Sequence, residues 1–223
     1  MVPLVSVVVP VLGDTAALGH LLQQIPPDPH IDVVVVDGGS DSDVARMAGL
    51  RPGTRVIRTS AGRGTQMNAG AAAAHGDWLL FLHADSRLPE GWHDQLSTAP
   101  SDVIGGWFRF ALDDTAWQAR LIERLVAWRV RLWRLPYGDQ GLFVRRASFG
   151  ALGGYLELPL LEDVEFVRRL VRAGNVMELP LRLYTSPRRW HRDGWFRRSA
   201  RNAAIVALYF AGVSPSRLSR WYS

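Results

Sequence analysis

Val33-Val34-Val35-Val36-Asp37-Gly38-Gly39-Ser40 is the stretch on which the reading of the fold turns. Four consecutive β-branched apolar residues suit a strand buried on both faces, as in a parallel sheet covered by helices. The acid and glycines that follow make a turn at its C-terminal end. Working outward, Leu4 to Pro10, Ile31 to Asp37, Arg55 to Arg58 and Asp77 to Leu82 read as short strands, separated by stretches of helical character that include an alanine-rich helix from Asn68 to His75. Pro26-Pro27-Asp28-Pro29 marks a loop. This alternation predicts an α/β domain with a central, mostly parallel sheet flanked by helices. Ligands of such sheets gather at strand C-termini, and Asp37 and Asp85 (in His83-Ala84-Asp85) place an acid at two of them. Beyond residue 100 the pattern predicts a turn at Gly105-Gly106, a Trp/Arg helix from Thr115 to Arg134, a strand at Gly141 to Arg145, and helices at Glu162 to Ala173 and Trp195 to Phe210.

The 223 residues suit one domain with a substantial core, and no repeat or linker divides them. The absence of cysteine excludes zinc–thiolate sites, thiol nucleophiles and disulfides, and fits a reducing compartment. The first residues lack a basic region followed by a long apolar run, so a cytoplasmic location is expected. Residues 1 to 119 carry 7 Arg against 13 acids, whereas residues 120 to 223 carry 19 Arg against 8 acids, so charges of −6 and +11 lie behind the net +5. A basic half can serve phosphate-bearing substrates, anionic lipid or nucleic acid.

Four segments occur in an informative order: VSVVVPVLGD (5–14), VVVVDGGSDSD (33–43), FLHADSRLP (81–89) and LLEDVEFVRRL (160–170). With RGTQMNAG (63–70), YGDQG (137–141) and SPRRW (186–190), they resemble the inverting family-2 glycosyltransferases of the GT-A fold. The short, Arg-rich form with DGGS, LHAD and GDQG is similar to a bacterial subgroup linked to arsenosugar biosynthesis. The resemblance implies a hexosyltransferase-type enzyme that takes a nucleoside diphosphate sugar, with a UDP-sugar favoured. Residues 1–100 would form the nucleotide-sugar half and residues 101–223 the acceptor half, with its Trp/Arg-rich helices.

The resemblance also suggests roles. Asp37 would accept a hydrogen bond from the nucleobase, with Pro10, Val11 and Asp14 framing the pocket; as an acid before two glycines it also suits a simple turn. Arg63 and Asn68 would lie near the donor, although an arginine in a loop is equally a solvated charge. His83, Ala84 and Asp85 stand where the family has Asp-x-Asp. Asp85 is the candidate ligand for Mg²⁺ or Mn²⁺, with His83 and His191 as further candidates. Asp163 matches the family's catalytic base; Glu162, Asp163 and Glu165 also make an acidic first turn that complements a helix dipole. Asp139, Gln140, Glu162, Arg189 and Trp190 would face the acceptor or the diphosphate. The chain departs from the family at Gly13-Asp14, where Asn-Glu is usual, at Ser42, where a further acid is usual, and at His83, where the first carboxylate is lost.

Tryptophan interleaved with arginine from Trp117 to Trp133, and again from Trp195 to Tyr209, suits the headgroup zone of an anionic bilayer. That reading would place the protein on the inner face of the cytoplasmic membrane, within reach of a lipid-linked acceptor; a small-metabolite acceptor, a homodimer interface and ordinary helix packing stand beside it. The 11 apolar residues from Ala203 to Val213 are too few to span a bilayer. No DNA- or RNA-binding motif is present, so nucleic acid is not an expected partner. A donor-binding but inactive transferase and a non-enzymatic nucleotide-binding protein are the rival functions.

Overall fold

A computed structural model describes residues 4–39 and 43–222; Ser40 and Ser42 of the DGGSDSD segment lie outside the described residues. The elements run β1 (Val5–Val11), α1 (Thr15–Gln24), β2 (Ile31–Asp37), α2 (Asp43–Ala48), β3 (Thr54–Arg58), α3 (Arg63–Ala73), β4 (Trp78–Phe81), β5 (Ser86–Arg87), α4 (Trp92–Ser97), β6 (Val103–Leu112) and α5 (Trp117–Trp133). After a 3₁₀ turn (Gly138–Gln140) come β7 (Leu142–Arg145), α6 (Arg146–Ala151), α7 (Glu162–Ala173), β8 (Asn175–Thr185), α8 (Arg188–Asp193), α9 (Trp195–Phe210) and α10 (Pro215–Tyr222). The strands form one sheet in the order β3-β2-β1-β4-β7-β6-β8-β5.

The valine run behaves as a doubly buried strand must. Val34 and Val36 face one hydrophobic cluster with Met67 and Ala71 of α3, and Val33 and Val35 face a second with Leu18, Leu21 and Leu22 of α1. The two-residue period of a strand sends alternate valines to opposite layers, so both faces need helices. A Cβ at Gly70 would overlap Val8 and come within 3.0 Å of Val36, so the missing side chain lets α3 lie close on β1 and β2.

The expectation of a mostly parallel sheet holds for β3-β2-β1-β4. Beyond β4 the sheet is mixed: β7 runs antiparallel to β4 and β6, and β5 antiparallel to β8. Gly141, with φ +59°, turns the chain into β7 at a point where a Cβ would lie 2.7 Å from Leu183. Gly105 and Gly106 lie inside β6, not in a turn. A Cβ on either would strike a backbone carbonyl, that of Phe143 or Met177, so these glycines serve close strand approach. Helix α3 begins at Arg63, five residues ahead of the expected alanine-rich segment.

That earlier start brings Gln66 under the C-terminal ends of β1 and β2. Its amide N–H groups donate to the carbonyls of Val11 and Val36, both at 2.9 Å, and the residue is buried. Gln66 therefore clamps the strand ends from which the neighbouring loops spring. Replacing it with methionine keeps the volume but removes both bonds. Urea unfolding of the Gln66→Met protein is expected to show a loss of about 1–3 kcal/mol.

Candidate active site

A cavity of about 530 Å³ opens at the C-terminal end of β1, between α3, α7, α9 and the loop after β4. Pro10, Val11 and Asp14 form one side; Gly13, at φ +77°, sets the turn between them. Beneath the cavity, Leu82 continues β4 by donating to Val8, and the His83-Ala84-Asp85 turn closes with the Ser86 N–H on the His83 carbonyl at 3.1 Å. Arg63 enters from the first turn of α3. Opposite, Leu161 adopts φ +67°, a left-handed conformation that costs a non-glycine residue about 1–2 kcal/mol. Its side chain is buried in the core, and the strained turn starts α7 so that Glu162 and Asp163 face the cavity.

Asp163 is held by backbone. Its Oδ2 accepts the Gly138 N–H at 2.6 Å and its Oδ1 the Val164 N–H at 2.8 Å. A Cβ on Gly138 would lie 3.1 Å from Asp163 Oδ2 and 3.4 Å from His83 Nε2, so that glycine leaves the two groups facing across a narrow gap. Glu162 pairs with Arg63 at 3.2 Å; burial, followed by the neighbouring Asp163, pushes its carboxyl pKa up. Burial chiefly, with Arg63 and Arg189 nearby, pushes the His83 pKa down to about 3, so the imidazole is neutral and its lone pair available. Burial also raises Asp139 to about 6, the lowering effect of Arg129 being outweighed by burial and by Asp163 and Asp85. Arg188 spans Asp14 at 2.5 Å and Asp85 at 3.8 Å, putting a cation between the two carboxylates.

The structure thus gathers Pro10, Val11, Asp14, Arg63, His83, Ala84, Asp85, Asp139, Glu162, Asp163, Arg189 and Trp190 around one space. Four expected residues stand apart. Asp37 is buried, accepting from the Gly39 N–H at 3.0 Å and from Arg58 at 3.2 Å, as its turn-forming reading requires. Asn68 exchanges two 2.8 Å bonds with the backbone of Tyr155, tethering α3 to the loop before α7. Gln140 is buried and bonds to Phe108, Tyr137 and Arg129, bracing the 3₁₀ turn. His191 sits 2.6 Å from Asp114, outside the cavity that holds Asp85 and His83. Trp190 does line the cavity, but its ring is mostly buried against Phe110, and its Nε1 donates to Ser199 at 3.3 Å.

Sequence reasoning missed Gln66, Tyr137, Arg198, Asn202 and Tyr222. Arg198 is buried, donating to Asp193 at 2.8 Å and to the Tyr222 hydroxyl at 3.3 Å, yet its Nε and the neighbouring Asn202 Oδ1 are buried without a partner. Among the described residues no three His, Asp or Glu side chains form a metal cluster. Asp85 and the neutral imidazole of His83 both line the cavity, a carboxylate and a nitrogen donor of the kinds that suit Mn²⁺.

Residues 6–149 match the family described as glycosyl transferase family 2. A PGL/p-HBAD biosynthesis glycosyltransferase of Mycobacterium bovis is 31% identical over 182 residues, covering 74% of this chain and 68% of that protein. An uncharacterized protein of Mycobacterium tuberculosis is 34% identical over 207 residues, covering 80% of this chain and 65% of its own. Among solved structures, a mannosyltransferase from Pyrobaculum calidifontis in complex with GDP-Man and Mn²⁺ superposes with a TM-score of 0.62 at 19% identity. TarS from S. aureus, residues 1–349, in complex with UDP-GlcNAc, superposes at 0.60 and 16%. This chain is covered to 82% in both but spans only 57% and 58% of theirs, so the likeness is one of fold, the GT-A fold. With the family match running from β1 through the His83-Ala84-Asp85 turn into α6, the chain belongs to glycosyl transferase family 2.

Proposed function

We propose that the protein transfers a sugar from a nucleoside diphosphate sugar to an acceptor hydroxyl or phosphate with inversion at the anomeric carbon, and that Asp163 is the base. The observation that carries this reading is the convergence of Asp163, from the start of α7, with Asp85 and His83, from the end of β4, on one cavity beside Arg63 and Arg189. The solved relatives hold GDP-Man and UDP-GlcNAc, which supports a nucleoside diphosphate donor; a UDP-sugar is the favoured one. The nucleotide lies along Pro10, Val11 and Asp14. Asp85 and His83 hold the divalent cation, which supplies charge neutralisation on the diphosphate.

The remaining chemistry falls to the chain's own groups. Asp163, oriented by two backbone N–H groups, takes the proton from the acceptor oxygen as that oxygen forms its bond to the anomeric carbon. The bond from that carbon to the diphosphate oxygen breaks on the opposite face, which inverts the configuration. Negative charge accumulates on the leaving diphosphate, where Arg189, exposed at the cavity and free of a carboxylate partner among the described residues, meets it. Arg63 is tied to Glu162 and contributes position and field.

Two carboxyl groups compete for the role of base, and two variants separate them. Asp163→Asn is expected to lower kcat by about 10²–10⁴-fold while leaving nucleotide-induced thermal stabilisation in place; Asp139→Asn is expected to change kcat less than about tenfold. Transfer that survives Asp163→Asn but is lost in Asp139→Asn would reverse the assignment.

The raised pKa of Asp139 has its own signature in the metal-free protein. Its folded-state value, about 6, lies above the ordinary 3.8, so ionisation costs the native state stability as pH rises through that window. Asp139→Asn should therefore unfold at higher denaturant than the parent above pH ~6, by about 1–3 kcal/mol, with the advantage vanishing below pH ~4. Chemical denaturation at a series of pH values in EDTA reads this directly.

A further inference from the structure

The outer surface of α5 is built in reverse. Ala119, Ile122 and Val130 point into the protein, as a surface helix requires, but the opposite, solvent-facing side is apolar as well. Trp117, Leu121, Leu125, Trp128 and Leu132 recur at the four- and three-residue spacing that puts side chains on one helical face. Trp117 is 64% exposed, Trp128 58% and Leu132 52%. Trp117 also meets Phe196 of α9 at 6.0 Å, so the stripe continues onto the next helix.

Along one flank of the stripe runs a second row, Arg120, Arg124, Arg131 and Arg134, which faces a groove of about 720 Å³ between α5 and the β6–β8 pair. Arg109 and Arg182 project from the opposite wall. The groove's acids are already occupied: Glu123 binds Arg120 at 2.8 Å and Glu178 binds Arg109 at 2.9 Å. Arg124, Arg131 and Arg182 have no acidic partner among the described residues. No residue of this groove lines the catalytic cavity.

We propose that this face is a docking surface for an anionic lipid bilayer: the Trp/Leu stripe enters the interfacial zone, and the arginine-lined groove receives lipid phosphates. Charge selects this occupant over a second copy of the chain. An antiparallel two-fold dimer through α5 would set each arginine row against its twin, and in any pairing of these helices Glu123, already paired, is the single acid of α5, while α9 and α10 contain none. An anionic membrane supplies the missing counter-charge, and an aromatic stripe edged by arginine is what an interfacial helix presents to it. The assignment is independent of the reaction in the cavity. Its geometric consequence is that α9, whose Arg198 and Asn202 line the catalytic cavity, lies beside the docked face and brings the acceptor side close to the lipid.

Co-sedimentation of the full chain with phosphatidylglycerol-containing and with pure phosphatidylcholine vesicles tests it. Binding to the anionic vesicles is expected, weakening as salt is raised. Each arginine near the surface contributes roughly fivefold in affinity, so Arg124→Gln with Arg131→Gln should weaken binding by about 25-fold. Trp117→Ser with Trp128→Ser should abolish it. All four side chains are exposed or border the open groove, so thermal melting should stay unchanged, and that melt confirms that any loss of binding is not unfolding. Failure to sediment with anionic vesicles at low ionic strength would overturn the proposal, as would equal binding to phosphatidylcholine. So would a dimer in light scattering that Trp117→Ser with Trp128→Ser dissociates.

Discussion

The ion pair between Arg63 and Glu162 is the tie on which the site depends. It joins the first turn of α3 to the first turn of α7, residues 99 apart in sequence, across the mouth of the cavity. Glu162 is buried, and its raised pKa records the cost of keeping a carboxylate there. Removing Arg63 would leave the buried Glu162 carboxylate without its cation. Asn68 reinforces the same joint through its two bonds to Tyr155, and Gly64 permits it, since a Cβ there would lie 2.6 Å from the Leu156 carbonyl. Once the joint is closed, Asp163, the next residue after Glu162, must look into the space that β1 and β4 open.

The cavity is electrostatically mixed, and the mixture suits a reaction that moves charge from an acceptor to a leaving group. Burial, Asp163 and Asp85 raise the cost of ionising Asp139, while Arg129 and Arg63 offset it. His83 sits between these groups and stays neutral because burial and two arginines disfavour its charged form. Where the family's Asp-x-Asp has its first carboxylate, this chain therefore places an uncharged side chain, beside an Arg188 that supplies a positive charge to Asp14 and Asp85.

What was legible in the sequence follows from what is local. The valine run, the strand-end acids and the acidic start of α7 are encoded in short windows, and the structure carries each of them out. The antiparallel course of β7 and the placement of Gly105 and Gly106 inside β6 depend on which backbone lies 2–3 Å away, and no window of sequence contains that neighbour. The site divides along the same line. Asp37, Asn68 and Gln140 sit in conspicuous segments, but their polar atoms are spent on nearby backbone or on Arg58 and Arg129. Arg198, Asn202 and Tyr222 carry no local signature and reach the cavity because α9 and α10 fold back over it.

The central claim is that the ends of β1 and β4 form a nucleoside diphosphate site completed by a cation at Asp85. Thermal melting with UDP, GDP, CMP, dTDP and ADP, each with Mn²⁺, Mg²⁺ or EDTA, tests it most directly, since a ligand of the native state raises its stability. The account predicts that one diphosphate raises Tm by about 5–10 °C at about 100 times its Kd, in the presence of metal only, and that Asp85→Asn removes the shift. A melt that no nucleotide moves under any metal condition, or a shift that persists unchanged in EDTA and in Asp85→Asn, would contradict it.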